Sequence, residues 1–322
     1  MKKIGLLKSG GHAPGMNACI RAIVRTALRY DLQPVGIRRG FSGMIDGAMQ
    51  EMDHDSVGNI ISRGGTILHS ARSKEFRSKE GRAKAYQNLQ DHGIEGLITM
   101  GGDGTFRGAA VLSEEFGIPV IGIPCTIDND LYGTDFTIGY DTAINTAMEA
   151  IDKIKDTADA HGRLFFVEVM GRDAGFIALR SAIATGSESV LVPESKTSLP
   201  DLIELLKKRH ETKKTSSIVV VAEGDDAGGA FEIAETVKPH FTDFDIRVTV
   251  LGHIQRGGSP TCMERVRASR MGMEAVKGLL NGRRDVMIGI LRGEICYTPF
   301  EKATKHHMEL SPLLLEMVEM LA

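Results

Sequence analysis

The strongest constraint on the fold is a recurring order: a short aliphatic run, a patch of glycine or acidic residues, then a longer segment of helical period. That order builds βα units on a largely parallel sheet. The runs predict strands at Ile4–Leu7, Val35–Ile37, Gly96–Met100, Val120–Ile123, Leu164–Val167, Val190–Val192, Ile218–Ala222, Val248–Leu251 and Val286–Leu291. Several are apolar throughout, as strands covered on both faces must be. Helices are predicted at Met16–Tyr30, Glu80–Leu89, Thr142–Thr157, Pro200–Arg209 and Glu264–Leu280. In the first, Ile20, Ile23, Val24, Ala27 and Leu28 form an apolar stripe, and Arg21 and Arg25 lie one turn apart on another face.

Length and charge narrow the class. At about 150 residues per domain, 322 residues predict two domains or one large α/β unit. The 37 glycines exceed the usual share of about 7%, which points to tight turns or loops that approach a ligand closely. With 39 basic against 42 acidic residues the net charge is −3, against any broad attraction to nucleic acid. No stretch approaches the roughly 18 apolar residues of a membrane span, and the N-terminal apolar run ends at Lys8, too early for a signal peptide. Cys19, Cys125, Cys262 and Cys296 are scattered without a C-x-x-C pair, so no zinc site or disulfide framework is expected, and a reducing, cytoplasmic compartment is.

Glycine-rich or acidic loops fall where strands end, the place where open parallel sheets bind ligands. Ser9–Asn17 follows the first strand and opens the first helix, so free amides and a helix N-terminus there suit phosphate oxygens; a plain βα turn is the alternative. It is neither a Walker A loop, since Met16-Asn17 follows Gly15, nor a G-x-G-x-x-G fingerprint. In Gly101-Gly102-Asp103-Gly104-Thr105 a carboxylate between glycines can hold hydrated Mg2+ beside a polyphosphate, or merely cap a helix. In Thr126-Ile127-Asp128-Asn129-Asp130 one carboxylate can accept a hydroxyl proton while the other orients it, or the segment is a surface Asx turn. The pair His306-His307 reads as solvated rather than metal-binding.

Together with Arg63-Gly64-Gly65-Thr66, Ser70-Ala71-Arg72, Met170-Gly171-Arg172 and Leu251–Pro260, these loops form an ordered series that resembles the bacterial-type ATP-dependent 6-phosphofructokinase family. The resemblance implies two similar three-layer α/β domains with mostly parallel sheets and the active site in the cleft between them. Residues 1–139 plus 255–305 would bind nucleotide, and 140–254 plus 306–322 would bind sugar phosphate. The implied reaction is phosphoryl transfer from Mg2+-bound ATP to the 1-hydroxyl of fructose 6-phosphate. By resemblance, Asp128 is the base, with Thr126, Asp130 and Arg172 beside it. Gly11, Arg72, Ser73, Gly102, Asp103, Gly104, Thr105 and Gly108 look like the nucleotide site, with Asp103 at the metal. Thr126, Asp128, Met170, Gly171, Arg172, Glu223, His253 and Arg256 look like the sugar-phosphate pocket. Arg163 and Arg247 resemble arginines that a neighbouring subunit supplies to the 6-phosphate, which implies a homotetramer.

Departures from the family pattern accompany the matches. His12 stands where the family has aspartate, and Cys125 where ATP users carry glycine and pyrophosphate users lysine. Gly104, where pyrophosphate users carry aspartate, leans towards ATP. Arg21, Arg25, Gly186, Glu188 and Lys214 resemble the family's effector site, but His54 and Lys155 replace arginines and Thr212 a lysine, so weakened or altered regulation is expected. The alternatives are a pyrophosphate-dependent enzyme, another kinase with a Gly-Gly-Asp-Gly loop, and a non-catalytic sugar-phosphate or nucleotide sensor.

Overall fold

A computed structural model describes residues 1–211, 217–241, 245–304 and 310–321, with backbone alone for His161, His210 and Glu211. Thr212, Lys214, His306 and His307 lie outside the described residues. The strands are β1 (Lys3–Lys8), β2 (Gln33–Ile37), β3 (Met49–Glu51), β4 (Gly96–Gly101), β5 (Val120–Thr126), β6 (Ile138–Gly139), β7 (Arg163–Val169), β8 (Ser189–Leu191), β9 (Ser217–Ala222), β10 (Asp245–Val250), β11 (Val286–Leu291) and β12 (Glu294–Pro299). The helices are α1 (Met16–Arg29), α2 (Gly40–Ile45), α3 (Lys79–Asp91), α4 (Asp103–Phe116), α5 (Tyr140–His161), α6 (Phe176–Thr185), α7 (Leu199–Glu211), α8 (Ala230–Val237), α9 (Cys262–Leu280) and α10 (Pro312–Leu321).

The chain divides into two compact units, each drawing on separated stretches of sequence. The first comprises Met1–Ile127, Leu131–Thr142 and Arg256–His306; the second, Asp128–Asp130, Ala143–Gln255 and His307–Ala322. The first holds an eight-stranded sheet in the order β12-β11-β5-β4-β1-β2-β3, with β6 paired to β5. β1, β2, β4 and β5 run parallel, and Lys8 pairs with Met100 as Gly101 pairs with Pro124, so the carboxyl ends of β1, β4 and β5 are nearly flush. The chain leaves β1 for β2 on one side and β4 for β5 on the other, so the strand order reverses between β1 and β4. That switch point is where open α/β sheets bind ligands.

The antiparallel strands lie outside the apolar-run pattern. β3 is a partly exposed edge, and β12 returns from β11 through Arg292 and Gly293, both at positive φ (51° and 83°), as a tight hairpin turn requires. On one face of the sheet, Leu7, Ile37, Leu97, Phe106, Leu112 and Phe300 form a fully or nearly fully buried core. On the other, α9 packs against α1, where Gly272 matters: a Cβ there would meet the Cys19 carbonyl at 2.8 Å. The second unit carries a four-stranded all-parallel sheet, β10-β7-β9-β8, over a core of Leu164, Phe166, Val219, Val221, Ile233 and Val237.

One buried charge ties two helix starts together in the first unit. Thr261 caps α9 by accepting from the Glu264 amide (3.1 Å), while the Glu264 side chain crosses to α5 and accepts from the Thr142 amide and hydroxyl (3.2 and 3.3 Å). Burial pushes the Glu264 carboxyl up to about 7, against the amides of Gly139 and Thr142, which pull it down. A carboxyl raised in the folded state stabilises fully below its unfolded value near 4.5, and that contribution is lost as pH rises through 7. Glu264→Gln keeps an acceptor and cannot ionise. Wild type should therefore lose about 2–3 kcal/mol relative to Glu264→Gln between pH 5 and 8. Urea-unfolding midpoints of both proteins at the two pH values check this; a constant difference would contradict it.

Candidate functional site

In the first unit the loops after β1 and β4 leave adjacent strand ends and brace each other, and the Ser70 segment braces the first of them. The Ser9 amide donates to the Met100 carbonyl (3.0 Å), and the Thr105 hydroxyl donates to the Ser9 carbonyl (3.3 Å). The Gly10 carbonyl accepts from the Ser70 hydroxyl (2.7 Å) and from the Lys8 ammonium. Two successive carbonyls of the loop are thus occupied by side chains, which leaves its amides as the group it can offer an anion. Gly10 and Gly15 sit at φ 85° and 96°, where other residues are strained, and a Cβ at Gly11 would fall 2.8 Å from the Arg256 guanidinium. Arg256 therefore lies against the first loop.

Asn17, one residue into α1 and buried, clamps the Arg63–Thr66 segment. Its amide donates to the carbonyls of Arg63 and Gly64 (3.0 and 3.1 Å), and its oxygen accepts from Ile67 (2.9 Å). The rest of the expected nucleotide set divides by environment. Around Gly102 and Gly104 a Cβ would meet nothing within 4 Å, so the second loop opens into free space. Gly108 is a packing position, since a Cβ there would press on Phe41 at 3.1 Å. The Ser73 hydroxyl accepts from the Phe76 amide (3.2 Å), and Arg72 is exposed.

Asp103 is the first residue of α4 rather than a loop residue, and its two oxygens are taken by Arg107 one turn on, through Nε (2.9 Å) and a terminal nitrogen. Arg107 is 69% exposed, so this pair is easily exchanged for another cation. Among the described residues no group of three or more acidic, histidine or cysteine side chains could cage a metal. A single carboxylate beside an open glycine loop fits Mg2+, which keeps most of its waters and completes its shell with phosphate oxygens.

Thr126 ends β5, and its carbonyl accepts from the Thr137 hydroxyl (2.6 Å). Asp128, two residues further along, belongs with Asn129 and Asp130 to the second unit, and all three are buried. Asn129 takes a left-handed backbone (φ 54°), so the turn is tight. The Asp128 carboxylate lies 3.5 Å from Nε of Arg172. Arg172 is itself held at φ 55°, after Gly171 at φ 149°. A strained turn needs a brace: the Glu223 carboxylate accepts from the amides of Arg172 (2.8 Å) and Gly171 (3.3 Å). Fully buried Gln255 accepts from the Met170 amide (3.3 Å) and donates to the Gly252 carbonyl (3.1 Å). Glu223, expected in the sugar-phosphate pocket, also supports the Arg172 turn, and His253 is exposed.

Arg163 and Arg247 share one carboxylate oxygen of Asp245, at 2.8 Å each. Desolvation by its neighbours would raise the exposed Asp245 carboxyl, but hydrogen bonds from Arg247 and Arg163 outweigh it and hold the group below its usual range. Of the expected effector set, the Lys155 ammonium donates to the Thr185 carbonyl (2.9 Å) beside Gly186, and buried Glu188 pairs with Arg209 (3.2 Å). Arg25 and His54 are exposed, and Arg21 is half-buried. Lys8 was not among the expected site residues, although a lysine closing an apolar strand was the signal that could have found it.

A model of the family described as Phosphofructokinase matches residues 3–279. The chain is 54% identical over 322 residues, the whole of both chains, to ATP-dependent 6-phosphofructokinase 1 of Thermus thermophilus. It is 54% identical to ATP-dependent 6-phosphofructokinase 2 of Bacteroides thetaiotaomicron over 306 residues, covering 95% of this chain and 94% of that one. Among solved structures, phosphofructokinase from Saccharomyces cerevisiae superposes with a TM-score of 0.90 at 33% identity, over 94% of this chain; the match spans 45% of the longer yeast chain. A pyrophosphate-dependent phosphofructokinase from Marinobacter aquaeolei shares the fold at a TM-score of 0.82 and 22% identity, over 97% of this chain and 86% of that one.

The Asn17 clamp should be measurable. Asn17→Ala deletes three hydrogen bonds to backbone, worth about 2–3 kcal/mol together, and should speed tryptic cleavage after Arg63. Urea unfolding and timed proteolysis check both effects; a loss under about 0.5 kcal/mol would show the segment to be held elsewhere.

Proposed function

Because the chain belongs to the phosphofructokinase family, we propose that it transfers the terminal phosphoryl group of ATP to the 1-hydroxyl of fructose 6-phosphate, giving ADP and fructose 1,6-bisphosphate. The observation that carries this reading is the Asp128–Arg172 pair: a buried carboxylate at the end of an apolar strand, beside an arginine fixed in a strained, braced turn.

The chemistry divides between the chain's groups. Asp128 accepts the proton of the sugar hydroxyl as the oxygen attacks, with Thr126 and Asp130 orienting that hydroxyl. Arg172 offers planar N–H donors to the negative oxygens of the phosphoryl in flight. The transition state is loose, so positioning and cationic contacts supply most of the acceleration. Amides of the Gly11 loop, Arg72 and the Gly102–Thr105 segment hold the donor, and the space around Gly104 leaves room for a nucleotide. Asp103 would hold Mg2+, releasing Arg107; the ion neutralises charge on the donor's phosphates when bound.

Met170, Gly171 and Arg172 with His253 and Arg256 receive the sugar phosphate. Arg163 and Arg247, gathered on Asp245, serve the 6-phosphate in the site of a neighbouring copy within a homotetramer. We place it in the cytoplasm, where both substrates are found. No described helix is long and apolar enough to cross a membrane.

Asp128→Ser removes the base and leaves the binding groups in place. Its kcat should fall about 10²–10⁴-fold while fructose 6-phosphate still binds within about threefold of wild type. Steady-state kinetics with equilibrium dialysis of the sugar phosphate tests this; unchanged turnover would remove Asp128 from the reaction.

Regulation is expected to be weak, because Lys155 and Glu188 already hold partners from this chain and His54 lacks an arginine's fork. Titration with ADP or phosphoenolpyruvate should shift half-saturation for fructose 6-phosphate by less than about threefold, under half a log unit of coupling. Strong activation by the first and inhibition by the second would contradict this.

A further inference from the structure

Lys8 is the last residue of β1 and its side chain is fully buried. Among the described residues it pairs with no carboxylate; its ammonium donates to the Gly10 carbonyl, two residues along in the first loop. The charged and titratable groups that act on it do not neutralise it: Arg256, which lies against Gly11, and the thiol of Cys125 on β5, which is itself near Cys19 on α1 and Glu264 on α9. An ammonium taken out of water without a counter-charge is costly, and an arriving anion would offset that cost.

The geometry gives that charge a task. A loop that is to bind an anion must keep its carbonyl oxygens away from it, and the Gly10 carbonyl is held from two sides, by Lys8 and by the Ser70 hydroxyl at 2.7 Å. Of these two donors Ser70 is exposed and the Lys8 ammonium is buried.

We propose that Lys8 is a positioning residue for the phosphoryl donor: its buried ammonium fixes the Gly10 carbonyl inward, so that the loop amides face the donor's polyphosphate, and adds a positive charge below it. This rests on the reading of Ser9–Gly15 as the donor loop. Burial, together with the Arg256 charge, lowers the Lys8 ammonium to about 8, with the Cys125 site pulling the other way. The thiols of Cys19 and Cys125 are pushed up by burial and stay protonated, and Glu264, near 7, titrates at the lower edge of the window in wild type and variant alike. The last ionisation of a terminal phosphate, near 6, is complete below this window.

The test is equilibrium binding of ATP to the full chain from pH 7 to 9 by calorimetry, beside the KM of each substrate, for wild type and Lys8→Met. Methionine fills the same buried space without charge. Wild type should lose about tenfold in ATP affinity across the window as Lys8 deprotonates. Lys8→Met should start about tenfold weaker at pH 7 and stay flat, with KM for fructose 6-phosphate unchanged within about twofold. A flat wild-type profile, or a variant that keeps the wild-type profile, overturns the proposal, and the first of these needs no variant. Absence of ATP binding at every pH overturns the donor-loop reading as well. ATP binding with the expected profile but no phosphorylation of fructose 6-phosphate supports the role of Lys8 and overturns the proposed reaction instead.

Discussion

Parallel pairing of β1, β4 and β5 is the constraint from which the site follows. Because the register keeps Lys8 beside Met100 and Gly101 beside Pro124, three loops of unrelated sequence emerge side by side. The strands beneath them are largely apolar and buried, so the acidic and glycine-rich segments of the pattern fall beyond their carboxyl ends. Hydrophobic burial thus locates the chemistry without taking part in it.

What makes those loops usable is a set of side chains that bind backbone rather than ligand. Thr105, Ser70 and Lys8 occupy carbonyls of the first loop; Asn17 holds the Arg63–Thr66 segment; Glu223 and Gln255 hold Met170–Arg172. Each is polar and lies within reach of a strained or glycine-rich turn, where backbone groups would otherwise lack partners. Rigid support of this kind lets a loose transition state meet fixed charges, and it separates residues that position from those that react.

The nine apolar runs were legible because a buried parallel strand needs little beyond β-branched and aliphatic residues, and each lies on or across an observed strand. β3, β6 and β12 were not, being short, half-exposed or built by a hairpin turn. Among site residues the motifs mark the loops, but the partner each side chain takes depends on the fold. Glu223 braces a turn 51 residues earlier in the chain, Gly108 packs on Phe41, and Asp103 opens a helix under the hand of Arg107. Lys8 and Glu264 went unread for the same reason: a charged residue in sequence looks solvated until the fold shows that it is buried.

On this chain a nucleotide's terminal phosphoryl group reaches the 1-hydroxyl of fructose 6-phosphate. The most direct measurement is phosphorus NMR of the product formed by the purified protein with fructose 6-phosphate and Mg2+, supplied with either ATP or pyrophosphate. Phosphomonoester resonances of fructose 1,6-bisphosphate, with matching ADP, should appear from ATP. Product from pyrophosphate alone, or from neither donor, would contradict this.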